Sequence, residues 1–149
     1  MKKIIQSAVV MAGAILVCTG CASGPKFAEA SRTFPALSSG QGRVYVYRRA
    51  VLGAAVQPEV KLNGEAVGRA VPKGFFYVDR PPGDYKISAT TEVERSLSMV
   101  LRDGDTRYVR LGMSLGFFVG HVCPELVEDS VGQKEIQNCS YTGATNCKP

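Results

Sequence analysis

Residues 43–111 consist of short segments with β-type patterning, and each segment ends at a turn signal. The first, residues 43–47, alternates valine with tyrosine, and residues 60–62 lead directly into Asn63-Gly64. That dipeptide favours a two-residue hairpin turn because both residues tolerate a positive φ. Since no sustained helical period interrupts the pattern, it predicts an all-β, mainly antiparallel fold, a small β-sandwich of about seven or eight strands.

Within this region, residues 81–84 (Pro-Pro-Gly-Asp) are typical of a tight turn. The last third of the chain has weaker patterning. Residues 111–122 form a nearly continuous apolar run, which we interpret as one strand followed by an irregular segment. Asp129 or Ser130 is a candidate N-cap for one short C-terminal helix through residues 131–136.

The start of the chain is typical of a bacterial signal peptide. Lys2 and Lys3 provide a positive start, residues 4–17 are largely apolar, and small residues precede Cys21. The apolar stretch is too short for a stable membrane-spanning helix. It therefore predicts export of the remainder of the chain.

Residues 17–21 (Val-Cys-Thr-Gly-Cys) resemble the lipobox of bacterial lipoproteins, with Cys18 where leucine is usual. In such proteins, cleavage exposes a cysteine that carries diacylglycerol on its sulfur and a further acyl chain on its amine. The resemblance implies that Cys21 is the lipid-attachment residue and that the lipid holds the protein at a membrane. Cys18 and Cys21 also match C-x-x-C, but the predicted cleavage separates them, so we do not interpret them as a redox pair.

The resemblance also implies a location. Ala22, rather than aspartate, follows the cysteine, which in Gram-negative lipoproteins indicates the outer membrane with the domain facing the periplasm. The alternative is an ordinary cleaved signal and a soluble periplasmic protein.

Removal of Lys2 and Lys3 with the signal peptide lowers the net charge from +5 to about +3. This excess of positive charge is too small to indicate a nucleic-acid partner.

These features divide the chain into four parts. Residues 1–20 are the predicted lipoprotein signal peptide, and residues 21–41, rich in Ala, Ser and Gly, are a predicted lipidated flexible tether. Residues 42–143 are the predicted β-sandwich domain, and residues 144–149 a C-terminal tail. The domain is long enough for a single core.

The order of four motifs resembles a known family. The motifs are residues 43–48 (R-V-Y-V-Y-R), 60–68 (V-K-L-N-G-E-A-V-G), 74–77 (G-F-F-Y) and 82–85 (P-G-D-Y). Together they resemble a family of bacterial lipoproteins known only as a domain of unknown function, and the hairpin and turn are also similar to the PEGA domains of surface proteins. The resemblance implies an envelope-attached β domain and supplies no catalytic residues.

Three cysteines remain beyond the predicted anchor. In an oxidising periplasm we expect Cys139 and Cys147 to form a disulfide that fixes the C-terminus, with a Cys123–Cys139 pairing as the alternative. A metal site that uses these cysteines with His121 is a weaker alternative, because a zinc site usually has four ligands at firmer spacing.

The sequence does not favour an enzyme. His121 is the only histidine, no G-x-S-x-G motif accompanies it, and we predict no catalytic residue, metal or cofactor. Asp103 and Asp105 flank Gly104, where carboxylates more often serve the turn itself.

Binding is a better supported class than catalysis. In a regular first strand, Arg43, Tyr45, Tyr47 and Arg49 lie on one face and form a candidate binding face for sugars or acidic groups of the cell wall. The alternative is a solvated outer face in which the tyrosines cover neighbouring strands. Two runs of aromatic residues could likewise pack in the core or form a partner surface: Phe75-Phe76-Tyr77 and Phe117-Phe118.

We therefore interpret the chain as a lipid-anchored envelope protein with an interaction or structural role and an envelope protein or peptidoglycan as candidate partner. One alternative is a specific binding lipoprotein, such as a lysozyme inhibitor or a cell-wall or ligand binder, for which residues 103–105 supply the compact acidic turn. The other is the lipoprotein subunit of a secretion assembly, for which residues 111–122 supply the apolar surface. The sequence leaves the oligomeric state open.

Overall fold

The computed structural model describes residues 20–114 and 120–144, and within these ranges the chain forms two packed β-sheets. The strands are β1 (Gly42–Tyr47), β2 (Glu59–Leu62), β3 (Glu65–Arg69), β4 (Gly74–Arg80), β5 (Gly83–Thr90), β6 (Glu94–Leu101), β7 (Thr106–Ser114), β8 (His121–Val127) and β9 (Ser140–Tyr141). The helices are α1 (Phe27–Ala30), a 3-10 turn (Ser31–Thr33) that directly follows it, and α2 (Asp129–Ile136).

The first sheet has the strand order β8-β7-β1-β4-β9, and the second has the order β3-β2-β5-β6. The β1–β7 and β4–β9 pairs are parallel, whereas every other pair is antiparallel. The prediction of an all-β, mainly antiparallel sandwich with a short C-terminal helix is thus confirmed.

The main core lies between the two sheets. It is built from aliphatic side chains and one phenylalanine that are almost completely buried. From the first sheet come Val44, Val46, Phe76, Val109, Leu111 and Val122, and from the second Val60, Leu62, Ile87, Ala89 and Leu101. Burial of these side chains supplies the main driving force for folding.

A second apolar cluster covers the opposite face of the first sheet. Tyr45, Tyr47, Phe75 and Tyr108 point away from the main core and pack under the two helical segments. Phe27 of α1 contacts Tyr45 with ring centroids 5.4 Å apart, and Ile136 of α2 is fully buried in the same cluster. The first sheet is therefore apolar on both faces.

This second cluster changes the interpretation of the N-terminal segment. The predicted flexible tether, residues 21–41, contains α1 and the 3-10 turn, and Phe27 and Ala30 of α1 pack in the cluster on the sheet. Phe34, which follows them, lies 4.4 Å from Tyr77 between ring centroids. Two phenylalanines seven positions apart carry this packing, which is too sparse to produce a recognisable period in the sequence.

The C-terminal third differs from the prediction in two strands. β8, of which only the first two residues fall in the predicted irregular segment and the rest had no predicted structure, pairs antiparallel with β7. Pro124 is tolerated there because β8 is an edge strand. β9 adds two residues to the other edge. α2 agrees with the predicted helix, although Glu128, rather than Asp129 or Ser130, occupies the N-cap position. The Asn63-Gly64 turn is confirmed, with φ values of 50° and 87°.

Within the described ranges, no helix has the length and apolar character needed to cross a bilayer.

The packing of α2 on the sheet can be tested at Gly132. In an exposed helix, Gly→Ala stabilises by about 1 kcal/mol. Here a Cβ at position 132 would lie 2.2 Å from Cγ of the buried Tyr108. We expect Gly132→Ala to lower the free energy of unfolding by about 1–3 kcal/mol in urea denaturation. Ser130→Ala, at an exposed position of the same helix, should change it by less than about 0.5 kcal/mol. A stabilised Gly132→Ala protein would contradict this packing.

Candidate functional site

The candidate site lies where β1 ends. The strand delivers Arg48 into the interior, where its side chain is 0% exposed. Its guanidinium donates hydrogen bonds to four backbone carbonyls, those of Val56 (2.7 Å), Ala70 (2.7 Å), Leu52 (2.8 Å) and Gly53 (3.0 Å). Three of these belong to the loop of residues 49–58, which Arg48 therefore holds in one conformation.

Carbonyl dipoles, rather than a carboxylate, balance the charge of Arg48. Among the described residues no acidic side chain forms an ion pair with it, and its Nε has no hydrogen-bond partner. Burial lowers the pKa of Arg48, while the nearby Cys21 opposes this change. A buried cation without a counter-charge is costly, so the four carbonyl contacts are what make its position tolerable.

Cys21 is held at the same end of the sandwich. The backbone N–H of Ala22 donates to the carbonyl of Pro72 at 2.9 Å, and Nε2 of Gln57 donates to the carbonyl of Gly20 at 2.8 Å. Cys21 itself is half-buried and its thiol is free. The predicted lipid-attachment residue thus lies against the folded domain.

A short backbone ladder continues this attachment toward α1. The carbonyl of Pro25 accepts a hydrogen bond from the N–H of Tyr141 at 2.8 Å, and the N–H of Phe27 donates to the carbonyl of Cys139 at 3.2 Å. Residues on both sides of Cys21 are therefore tied to the domain within a few positions.

The candidate binding face is largely internal. Arg43, Tyr45 and Tyr47 are 8%, 7% and 1% exposed. Phe27 of α1 packs on Tyr45, Glu135 of α2 accepts a hydrogen bond from Tyr47, and Arg43 donates to Asp79 and to the Pro35 carbonyl. Only Arg49 keeps an exposed side chain. The expectation of an exposed stripe is thus corrected. Its alternative is wrong in expecting a solvated face, but Tyr45 does cover the neighbouring strands, with its ring centroid 5.9 Å from that of Tyr77 and 5.4 Å from that of Tyr108. Strand alternation correctly separated these residues from Val44 and Val46, but it carries no information about a second covering layer.

Arg43 has a structural partner. Its Nε and Nη2 each donate to Asp79 at 2.7 Å, Nη2 also donates to the carbonyl of Pro35 at 2.9 Å, and the guanidinium lies 4.4 Å from the centroid of the Tyr77 ring. The hydrogen bonds to Asp79 raise the pKa of Arg43. This paired contact fixes the segment after the 3-10 turn to the sheet.

Glu135 of α2 makes contacts with the first sheet that the sequence did not indicate. It accepts hydrogen bonds from Tyr47 Oη at 2.8 Å and from Arg110 Nη1 at 3.1 Å, and it also pairs with Arg49. Burial favours a higher pKa for Glu135, but the hydrogen bond from Tyr47 and the charge of Arg110 outweigh it, so the pKa is lowered. Glu135 joins α2 to the sheet.

The described cysteines are not paired. Cys139 is completely buried as a free thiol, and burial raises its pKa to about 11. Cys123 is also free, with Sγ 3.5 Å from Ser114 Oγ, so the alternative Cys123–Cys139 pairing is wrong. Cys147, the partner in the predicted Cys139–Cys147 disulfide, lies outside the described residues.

His121 does not take part in a metal-binding cluster within the described residues. Its Nδ1 lies 3.0 Å from Thr91 Oγ1, and no group of three histidine, cysteine or acidic side chains there is placed to hold a metal ion.

The acidic turn is tied to the fold. Asp103 accepts a hydrogen bond from the N–H of Gly40 at 2.9 Å, and Asp105 accepts from the N–H of Arg102 at 3.1 Å and from Arg107 Nη2 at 2.9 Å. These carboxylates serve the turn, as expected.

The aromatic and apolar runs are packed where they are described. Phe75 and Phe76 are each 1% exposed, on opposite faces of β4, and Leu111 and Val122 are buried between the sheets. Phe117 and Phe118 lie outside the described residues. The described part of residues 111–122 therefore does not form the apolar surface expected of an assembly subunit.

Comparison with known proteins gives a family and a distant relative. The family described as "Protein of unknown function (DUF2846)" matches residues 38–122, more than half of the chain. An "Uncharacterized protein" of Haemophilus influenzae is 27% identical over 129 residues, which cover 83% of this chain and 77% of the relative. No solved structure matches the chain. The family match includes Arg48 and its loop, whereas Cys21 precedes it.

The contribution of Arg48 can be measured directly. Arg48→Met keeps much of the side-chain volume but removes the donor to the carbonyls of Leu52, Val56 and Ala70, while the Gly53 carbonyl still accepts from the N–H of Val56. We expect the free energy of unfolding to fall by about 3 kcal/mol. Arg95→Met, at an exposed position of β6, should change it by less than about 0.5 kcal/mol. Urea denaturation measures both. Equal stabilities for the two variants would show that the carbonyl contacts of Arg48 contribute nothing.

The charge of Glu135 predicts a pH dependence. The pKa of Glu135 is lower in the folded protein than its unfolded value of 4.5. The stability that Glu135 contributes to the fold is therefore fully present above pH 4.5 and is lost as the pH falls through the folded pKa. Glu135→Gln should cost about 2 kcal/mol at pH 7, and the difference from the unsubstituted protein should shrink below the folded pKa. Glu92→Gln, at an exposed position, is the control. A difference that does not vary between pH 7 and pH 3 would contradict the assignment.

Proposed function

We propose that this chain, which belongs to the DUF2846 family of proteins of unknown function, is a lipid-anchored protein of the cell envelope. Cys21 carries the anchor, and the β-sandwich serves an interaction or structural role. The observation that carries the proposal is a half-buried, free Cys21 directly after an export-type sequence. A cysteine in this position needs an accessible sulfur and amine for modification.

Acyl groups on Cys21 are sufficient for stable attachment. One acyl chain gives only marginal membrane binding, whereas two or more chains anchor a protein stably without a spanning helix. Diacylglycerol on sulfur and a third chain on the amine satisfy that requirement. Ala22 after the cysteine favours the outer membrane, with the domain on its periplasmic side.

An interaction or structural role is supported by the use of the buried polar groups. Arg43 is engaged by Asp79, Arg48 by backbone carbonyls and Tyr47 by Glu135, so each maintains the fold. The resemblance of the β2–β3 hairpin and the following turn to PEGA domains also favours a surface domain. An envelope protein or peptidoglycan remains the proposed partner.

Cys21→Ser tests the anchor. The sulfur that carries diacylglycerol is then absent, so we expect the variant to leave the membrane fraction and to lack acyl mass in intact mass spectrometry. The unsubstituted protein should have the mass of a chain that starts at Cys21 plus its acyl groups. Cys123→Ser, which removes another half-buried free thiol, should keep both properties.

Two results would contradict the proposal. Retention of Cys21→Ser in membranes would show that another element binds them. An unsubstituted protein without acyl mass would favour a soluble exported binder.

A further inference from the structure

Gly20, the residue before Cys21, contacts the loop of residues 49–58 that Arg48 holds. Nε2 of Gln57 donates to the Gly20 carbonyl at 2.8 Å and to the Ala54 carbonyl at 3.0 Å, so the loop itself orients the side-chain amide. A Cβ added at Gly20 would lie 3.5 Å from the Ala54 oxygen and 3.7 Å from its Cβ, which is ordinary van der Waals contact. The loop therefore binds the Gly20 carbonyl and has room beside Ala54 for a further carbon.

Processing would replace that carbonyl with a chemically equivalent one. Hydrolysis of the Gly20–Cys21 peptide bond consumes water, releases the carboxylate of Gly20 and leaves an amine on Cys21. Transfer of an acyl group from an ester donor forms a new amide at this nitrogen. The donor's alkoxide takes the proton lost by the amine and departs as the alcohol.

The new bond is a planar secondary amide, as the peptide bond was. In its trans form, the acyl carbonyl takes the place of the Gly20 carbonyl, and the first methylene takes the place of the Gly20 Cα. The acyl carbonyl then meets Nε2 of Gln57, as the Gly20 carbonyl does, and the first methylene lies beside Ala54, whose Cβ would be 3.7 Å from a carbon attached at that position.

We propose that Gln57 and Ala54 form a binding site for the N-acyl amide of the mature chain, an inference that rests on the proposed lipid anchor. Gln57 donates to the acyl carbonyl, and Ala54 contacts the start of the acyl chain. The site deepens the proposed function because it fixes the anchor at a defined place on the domain.

The rest of the loop suits a lipid environment. Val51 and Leu52 are 47% and 66% exposed, and they lie on the segment between Arg48 and Ala54. Arg48 binds the carbonyls of Leu52 and Gly53, so these apolar side chains are presented by an ordered backbone. Exposed apolar residues beside an acylated terminus would contact lipid.

Amide hydrogen exchange at Ala22 reports on the site. Its N–H donates to the Pro72 carbonyl, so it is protected from exchange only while the N-terminal segment is bound to the domain. We expect Gln57→Leu, measured by NMR on the acylated protein in detergent micelles, to exchange at Ala22 about fivefold faster, the effect of one lost hydrogen bond. Gln57→Glu, which retains shape but offers a carboxylate to the acyl carbonyl, should accelerate exchange at least as much.

Gln137→Leu is the matched control, because its Nε2 donates only locally to the Gln133 carbonyl, and exchange at Ala22 should not change. Unchanged exchange at Ala22 in both Gln57 variants would overturn the acyl-amide site. Intact mass separates this outcome from failure of the anchor: acylated protein with unchanged exchange overturns only the site, whereas protein without acyl groups overturns the proposed function.

Discussion

The central strand β1 has apolar or aromatic side chains on both faces, and this property determines the layers of the molecule. Val44 and Val46 are buried against the second sheet. Tyr45 and Tyr47, on the opposite face, need a second cover to be buried. The second cover is made by α1, Phe34 and α2. Because one of its parts is the N-terminal segment, burial of the tyrosines also brings Cys21 against the domain.

Local signals predicted those parts of the fold that local physics determines. Strand alternation and turn chemistry predicted β1, the Asn63-Gly64 hairpin and the sandwich class, and candidate N-cap residues at Asp129 and Ser130 predicted α2. β8 was not predicted because Pro124 and a following glutamate interrupt its pattern, although an edge strand tolerates both. β9 and α1, of two and four residues, are too short to have a period, and long-range packing stabilises them.

The candidate site shows the same division. Cys21 was identifiable because its neighbours in sequence carry the signal. The part played by Arg48 was not, since an arginine after a strand is usually solvated, and its acceptors are distributed from Leu52 to Ala70. The buried tyrosines were assigned to the correct face of β1, but what covers that face depends on Phe27 and on α2, which are distant in sequence.

The direction of β1 has a consequence for an anchored molecule. The strand starts beside the acidic turn, where the N–H of Arg43 donates to the carbonyl of Asp105 at 2.8 Å, and ends at Arg48 near Cys21. Arg43 and Arg48 are five steps of about 3.3 Å apart, which separates these ends by about 17 Å. With the anchor proposed at Cys21, a domain bound directly beside its own lipid would reach only a small volume, so a partner would have to enter a thin layer next to the bilayer. Such a partner would meet the acidic turn first, at the pole opposite the lipid.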